Sequence, residues 1–248
     1  LNVNFRNIFN RFETVNVFFF FFPDKGQTFD LQTDIPYLFK SNLGTNINVN
    51  IYRQDSTFAT VKFLPSIYLH LSSRQKIGIR GRFETSAIID TLYTQGKDFT
   101  KQGIGLWYEF TEPSEIGLFL HKTKIRAEAD YISTNYSKEN ASVIQNNFLF
   151  SAERNFHIAG NNYLNLRGET ALLNSKNEFV ANELLRFGGW NSFRGFNENS
   201  IYADLYYYTT AEYRYLVGEQ AFFDVFGQYG EFNNKSLQLK PKIYSFGL

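Results

Sequence analysis

Lys124-Ile125-Arg126-Ala127-Glu128-Ala129-Asp130-Tyr131 puts the charges Lys124, Arg126, Glu128 and Asp130 on one parity and Ile125, Ala127, Ala129 and Tyr131 on the other. Successive side chains of a β-strand point to opposite faces, so this segment reads as a strand between two unlike environments, one ionic and wet, the other apolar. The same pattern recurs in both directions. Ile47, Val49 and Ile51 oppose Asn46, Asn48, Asn50 and Tyr52, while Ile77, Ile79 and Phe83 oppose Arg80, Arg82 and Glu84. Ile104, Leu106, Tyr108 and Phe110 oppose Gly103, Gly105, Trp107 and Glu109. Farther on, Leu164, Leu166, Gly168 and Thr170 oppose Asn165, Arg167 and Glu169, and Thr209, Ala211, Tyr213 and Tyr215 oppose Thr210, Glu212 and Arg214.

Extending this reading predicts about thirteen strands, near Leu1–Ile8, Val15–Phe22, Thr28–Ile35, Thr45–Arg53, Thr57–Leu71, Lys76–Ile89, Lys101–Thr111, Ile116–Ile132, Gln145–Phe156, Tyr163–Leu173, Ile201–Leu216, Ala221–Glu231 and Lys242–Leu248. Tight connections are expected at Pro23-Asp24-Lys25-Gly26, Ser72-Ser73-Arg74-Gln75 and Ala159-Gly160-Asn161, and longer polar ones at Ser133 to Ser142 and Asn174 to Ser200. Short turns on one rim and long loops on the other are the habit of outer-membrane barrels. Pro65 falls inside a strand, where a soluble sheet tolerates proline only at an edge or bulge. No linker or compositional break divides the chain, which is expected to be one barrel domain over residues 1–248.

Composition agrees with an all-β, transmembrane, antiparallel up-and-down barrel. Aromatic residues make up 19% of the 248 residues, with 28 Phe and 16 Tyr, yet 20% are charged and the mean hydropathy is −0.32. A chain both aromatic and hydrophilic must segregate the two kinds of residue. Helical membrane proteins do so in blocks of roughly twenty apolar residues, but the longest apolar run is Val17 to Phe22. Barrels do so by alternation, which leaves average hydropathy low. A soluble exported β-sandwich or carbohydrate-binding domain also alternates. Its strands average about five or six residues, whereas tilted membrane strands need about nine to eleven, nearer the lengths read here.

The same inventory excludes several function classes. Without Cys there is no disulfide framework, thiol catalysis or thiolate metal site, and a net charge of +1 argues against nucleic acid as a partner. His70, His121 and His157 are far apart with no metal-ligand spacing. No Gly-x-Ser-x-Gly elbow occurs, and Gly103-Ile104-Gly105 lacks the third glycine of a dinucleotide loop. No catalytic residue, metal or cofactor is expected, and the protein is read as not an enzyme. The chain opens at Leu1 with neither initiator Met nor signal peptide, so it is expected to be a segment of something longer.

The most informative stretch outside the strands is Arg186-Phe187-Gly188-Gly189-Trp190-Asn191-Ser192-Phe193-Arg194-Gly195-Phe196. Bends at Gly188, Gly189 and Gly195 would present the guanidinium of Arg194 from a compact loop flanked by aromatics such as Phe196. Downstream, Glu212 and Asp224 lie on the charged parity of successive strands. Together these residues resemble the long sixth loop of the BamA/TamA superfamily of outer-membrane assembly and translocation barrels, which includes two-partner secretion transporters. Ile35-Pro36-Tyr37-Leu38-Phe39 after an alternating strand also looks like the family's early strand and turn. The resemblance covers nearly the whole chain, and only the loop motif is specific.

The resemblance implies that Arg194 inserts into the lumen between Glu212 and Asp224, where a planar guanidinium is satisfied bidentately. It implies a laterally opening seam whose first strand carries Leu1, Val3 and Phe5, to which a client strand adds. It also implies association with POTRA repeats and surface-antigen relatives, a bacterial outer-membrane location, and as partners outer-membrane lipids, unfolded client proteins and accessory lipoproteins or other subunits. The resemblance implies sixteen strands, five of them after this loop where only three are read here, so about two C-terminal strands are expected beyond Leu248. The alternatives are a two-partner secretion pore, a passive porin and an outer-membrane enzyme. A porin would line its lumen with one sign of charge, whereas the charged parity here mixes Lys, Arg, Glu and Asp.

Overall fold

The computed structural model describes residues 1–8, 10–22, 26–90, 92–137, 142–219 and 221–248. The strands are β1 (Asn2–Arg6), β2 (Thr14–Phe21), β3 (Gln27–Ile35), β4 (Leu43–Gln54), β5 (Phe58–Ser72), β6 (Gln75–Ile88), β7 (Phe99–Glu112), β8 (Thr123–Tyr136), β9 (Ser142–Ala159), β10 (Asn162–Ser175), β11 (Leu185–Phe187), β12 (Ile201–Ala203), β13 (Leu205–Leu216), β14 (Phe222–Asn233) and β15 (Lys242–Gly247). All except β11 and β12 form one 13-stranded sheet in which neighbours in space are neighbours in sequence. Every register described in it is antiparallel. Strands β11 and β12 pair separately inside the connection from β10 to β13. Among the described residues, no helix is long and apolar enough to cross a membrane.

Each segment expected from alternation carries a strand of the large sheet, with three corrections. The strand expected from Ile116 begins at Thr123, because Ile116 to Lys122 is a loop: Ser114 Oγ accepts the amide of Ile116 and Ile116 O accepts that of Phe119. Its apolar residues mimic a strand, but Phe119 is buried and Leu120 exposed. The segment Ile201–Leu216 breaks at Asp204, whose carboxylate accepts the backbone amide of Lys235 at 2.7 Å. The connection expected from Ser133 is shorter, since β8 runs on to Tyr136. The Pro23 to Lys25 turn lies outside the described residues, as do Lys138 to Ala141 of that connection. Loop lengths divide less cleanly than expected: residues 113–122 make a long connection at the same strand ends as the two-residue turns after β5 and β9.

Pro65 now has an explanation. It pairs with Ile47 on β4, while the register to β6 passes from Phe63↔Phe83 to Ser66↔Arg80 with no partner for Leu64 or Pro65. The missing N–H therefore falls where no ladder bond is made.

The described residues form two compact units: Leu1–Trp107 with Ala129–Asn147 and Asn174–Glu183, and Tyr108–Glu128 with Phe148–Leu173 and Leu184–Leu248. In both, burial is inverted relative to a soluble protein. On β6 of the first unit, Arg80, Glu84 and Ser86 are buried, whereas Ile77, Ile79 and Phe83 are exposed. On β13 and β14 of the second, Glu212 and Gln228 are buried while Tyr213, Phe223 and Val225 face out. Apolar side chains stay exposed beside buried ions only if the medium outside is itself apolar.

The first unit buries Phe22, Tyr52 and Phe58 as an aromatic cluster. It also contains a deeply enclosed ion pair, in which Arg80 Nε and Nη2 each donate at 2.8 Å to the two oxygens of Asp130. Arg82 adds an ion pair to Asp130 at 3.2 Å and Asn147 Nδ2 donates to it at 3.3 Å. Within the second unit Arg126 bridges Glu109 at 2.9 Å and Glu128 at 2.5 Å. The partners of Arg126 and Glu128 fix their parity, and Ala127 lies between them. Arg introduced at Ala127 is expected to cost about 2–4 kcal/mol if that site is near mid-membrane. Cysteine labelling should find position 127 shielded from aqueous reagents and position 128 reactive; the opposite pattern would reverse the faces.

Candidate functional site

The connection from β10 to β13 builds the site. Gly188, Gly189 and Gly195 have φ of 106°, 102° and 85°, a region that other residues enter with strain. The bend closes on itself: Gly189 N donates to Phe193 O at 2.9 Å, Gly188 N to Ser192 Oγ at 2.8 Å, and Trp190 N to Glu198 Oε1 at 2.7 Å. A fully buried Phe193 anchors the tip, meeting Tyr208 and Phe196 edge-on, while Phe187 stacks on Tyr206 at 4.3 Å. These rings join Ala171, Ile201, Ala203 and Ile243 in the apolar core of the second unit.

Anchored there, Arg194 reaches the polar face of β13 and β14. Its Nη2 donates to Glu212, and its Nη1 lies 3.5 Å from Asp224 Oδ2. The guanidinium sits 4.2 Å from the Phe226 ring centroid and 5.0 Å from that of Trp190. Glu212 is almost enclosed, with 5% of its side chain exposed against 28% for Asp224, so Glu212 is the stronger partner. Gly188, Gly189, Gly195 and Phe196 all belong to the same tip. Leu1, Val3 and Phe5 are elsewhere, on and beside β1, with Val3↔Val17 and Phe5↔Val15 as partners on β2. Among the described residues, no pairing joins β1 to β15.

Several residues essential to this geometry are not evident from the motif. Gln228 Oε1 accepts the amide of Arg194 at 2.7 Å, while its Nε2 donates to Ser192 O and Thr210 Oγ1 at 3.0 and 2.8 Å. Arg214 grips the far oxygen of Glu212 through Nε at 2.9 Å and Nη2 at 2.5 Å. Parity is the signal that finds them, because Thr210↔Gln228, Glu212↔Phe226 and Arg214↔Asp224 are successive same-face pairs. Gln228→Ala is expected to cost about 1–3 kcal/mol, since it leaves the Arg194 amide, the Ser192 carbonyl and the Thr210 hydroxyl without that partner. Thermal unfolding of the purified protein measures it; a loss below a few tenths would mean water replaces the side chain.

From Arg214 the network continues away from the tip. Arg214 Nη1 donates to Asn155 Oδ1 at 2.9 Å, Asn165 Nδ2 joins Asn155 and Glu153 at 2.9 Å each, and His121 lies 3.1 Å from Glu153. Phe119 packs edge-on against Tyr163 and Phe222, with the Arg214 guanidinium 5.3 Å from its ring. The loop that looked like a strand therefore supports the side chain that braces Glu212.

The first unit holds the start of the same connection separately. Glu183, whose side chain is fully enclosed, pairs with Lys101 at 2.9 Å and accepts from Tyr136 at 2.8 Å and Gln145 at 3.0 Å. Asn182 Nδ2 donates to Ser86 Oγ and Lys97 O, both at 2.8 Å. Nothing in the sequence around Ala181-Asn182-Glu183 announces this anchor.

A many-stranded antiparallel sheet with charges inside, apolar side chains outside and a glycine-bent loop laid on its polar face defines a class, the outer-membrane β-barrel. The particular fold is similar to that of the BamA and CdiB barrels. BamA of Haemophilus ducreyi lacking POTRA domains 1–3 superposes with a TM-score of 0.62 at 13% identity, covering 95% of this chain and 55% of its own. CdiB of Acinetobacter baumannii superposes with a TM-score of 0.61 at 14% identity, covering 99% of this chain and 48% of its own. The chain thus spans about half the length of these structures. No protein-family model matches the sequence, and no curated protein sequence matches it.

Proposed function

We propose that this chain is the barrel of a bacterial outer-membrane protein that inserts or translocates other proteins. The loop tipped by Arg194 braces the lumen wall through Glu212 and Asp224, and the seam strand carrying Leu1, Val3 and Phe5 opens laterally to receive a client strand. The observation that carries this reading is the seating of Arg194 on Glu212 within a fold shared with BamA and CdiB. The role is one of bracing and gating, since Glu212 and Gln228 both bind Arg194 and Arg214 holds Glu212 in place. Outer-membrane lipids and unfolded clients are the partners, with accessory lipoproteins or POTRA repeats on the full-length product.

A second reading, a two-partner secretion pore that passes its client through the lumen, is favoured by the equal likeness to CdiB. A passive porin fits less well, because the inward charges pair with one another, as in Arg80 with Asp130, Lys101 with Glu183 and Arg126 with Glu109. The test is to reconstitute the full-length gene product in vesicles and follow both folding of an outer-membrane client and ion conductance. Arg194→Ala should reduce client insertion or export. Unaltered client handling with altered conductance would reject both protein-handling readings in favour of a porin.

A further inference from the structure

On the apolar, outward face of the second unit, strands β8, β9, β10, β13, β14 and β15 line a groove of about 820 Å³, within the size range of small-molecule sites. Its lining includes Ala152, Gly168, Ala211 and Gly227, with Phe156 and Tyr244 beside them. The registers Leu166↔Ala211, Ala211↔Gly227 and Gly227↔Phe246 set these positions side by side. Bulky side chains cover most of this face, so their replacement by Ala and Gly along one row leaves room for an occupant.

Of the charged residues in its lining, Glu153 and Arg167 belong to the inward parity, and Arg154 does not. Arg154 is exposed on the outward parity of β9, between Ala152 and Phe156, with its guanidinium 5.0 Å from the Phe156 ring centroid. It makes no hydrogen bond or ion pair with a described residue. Elsewhere on this face, Glu231 and Lys242 lie 3.9 Å apart and balance each other. An arginine in the lipid-facing band is costly unless its long stem carries the charge to an anion. Its planar fork suits a phosphate, engaged bidentately. Apart from that anion, the groove asks for an apolar occupant.

We propose that this groove seats an anionic phospholipid, with its phosphate on Arg154 and an acyl chain along Ala152, Gly168, Ala211 and Gly227. The proposal rests on reading this face as lipid-exposed, so the experiment separates the two. Phe156→Trp places a fluorophore beside Arg154. The folded full-length protein is put into vesicles of phosphatidylcholine containing either bromine-labelled phosphatidylcholine or bromine-labelled phosphatidylglycerol, and quenching is compared. Position 156 should prefer the anionic lipid about fivefold, the increment of one basic residue at an anionic membrane surface. Arg154→Gln in the same background should remove the preference and Arg154→Lys should retain part of it. Equal quenching by both lipids with Arg154 present, or a preference that survives Arg154→Gln, overturns the lipid site and leaves the barrel intact. Quenching by neither lipid in a folded protein overturns both, and means that another protein covers the face. If the Arg154 variants fail to fold, the comparison of the two lipids on the Phe156→Trp protein decides alone.

Discussion

Replacing Arg194 by Ala is expected to cost about 3–5 kcal/mol, the usual loss when one member of a buried ion pair is removed, and toward the lower end because its side chain is 17% exposed. The cost arises from what remains. Glu212 would keep Arg214 but lose the partner on its other oxygen, and the Phe226 ring would lose the cation above it. Glu212→Ala should cost at least as much, because it deprives Arg194 and Arg214 together. Asp224→Ala should act in the same direction but less, given its 3.5 Å separation and greater exposure. In a double-mutant cycle of unfolding free energies, Arg194→Ala with Glu212→Ala should fall short of additivity by about 0.5–3 kcal/mol. Full additivity would show that the two side chains do not meet in solution.

The other large effect is expected at Asp130, whose carboxylate is fully enclosed and binds Arg80, Arg82 and Asn147. Asp130→Ala removes the carboxylate that Arg80 engages through two nitrogens and one of the two that Arg82 meets, and should lower stability by about 3–5 kcal/mol. Arg80→Ala should be milder, since Arg82 remains to pair with Asp130. Paired replacement by apolar residues of similar volume, Arg80→Met with Asp130→Leu, should recover much of the loss, because no buried charge is then left alone. Heat-modifiable migration on gels and denaturant unfolding in detergent report these differences. Equal stability of the wild type and Asp130→Ala would mean that water enters this pocket freely.

Period-two alternation was enough to find every strand of the large sheet, because each face meets a uniform medium and the chain must answer it residue by residue. The pattern failed where tertiary contacts replace that medium. Ile116 to Leu120 alternates like a strand, yet Pro113 and Ser114 start a loop and Phe119 turns inward to the aromatic rings of Tyr163 and Phe222. Asp204 interrupts a continuous run because its carboxylate caps the backbone at Lys235, a contact with a residue far along the chain. The loop tip was legible because glycine pairs and a lone arginine are locally unusual. Parity puts Gln228 and Arg214 on the inward face without saying what they bind, and nothing announces the Asn182–Glu183 anchor, since each works through hydrogen bonds across strands whose register the sequence does not state.

The reading as a protein-handling barrel turns on whether a client strand meets the edge of β1. A photo-activatable residue at Phe5 in the full-length protein, illuminated while a radiolabelled outer-membrane client is being assembled, tests this most directly. The predicted result is a covalent adduct between position 5 and a terminal strand of the client, lost in Arg194→Ala. Adducts formed only from lumen-facing positions such as Asp224 would indicate secretion through the pore. Adducts with lipid alone, at every position and with client folding unchanged, would contradict the proposed function.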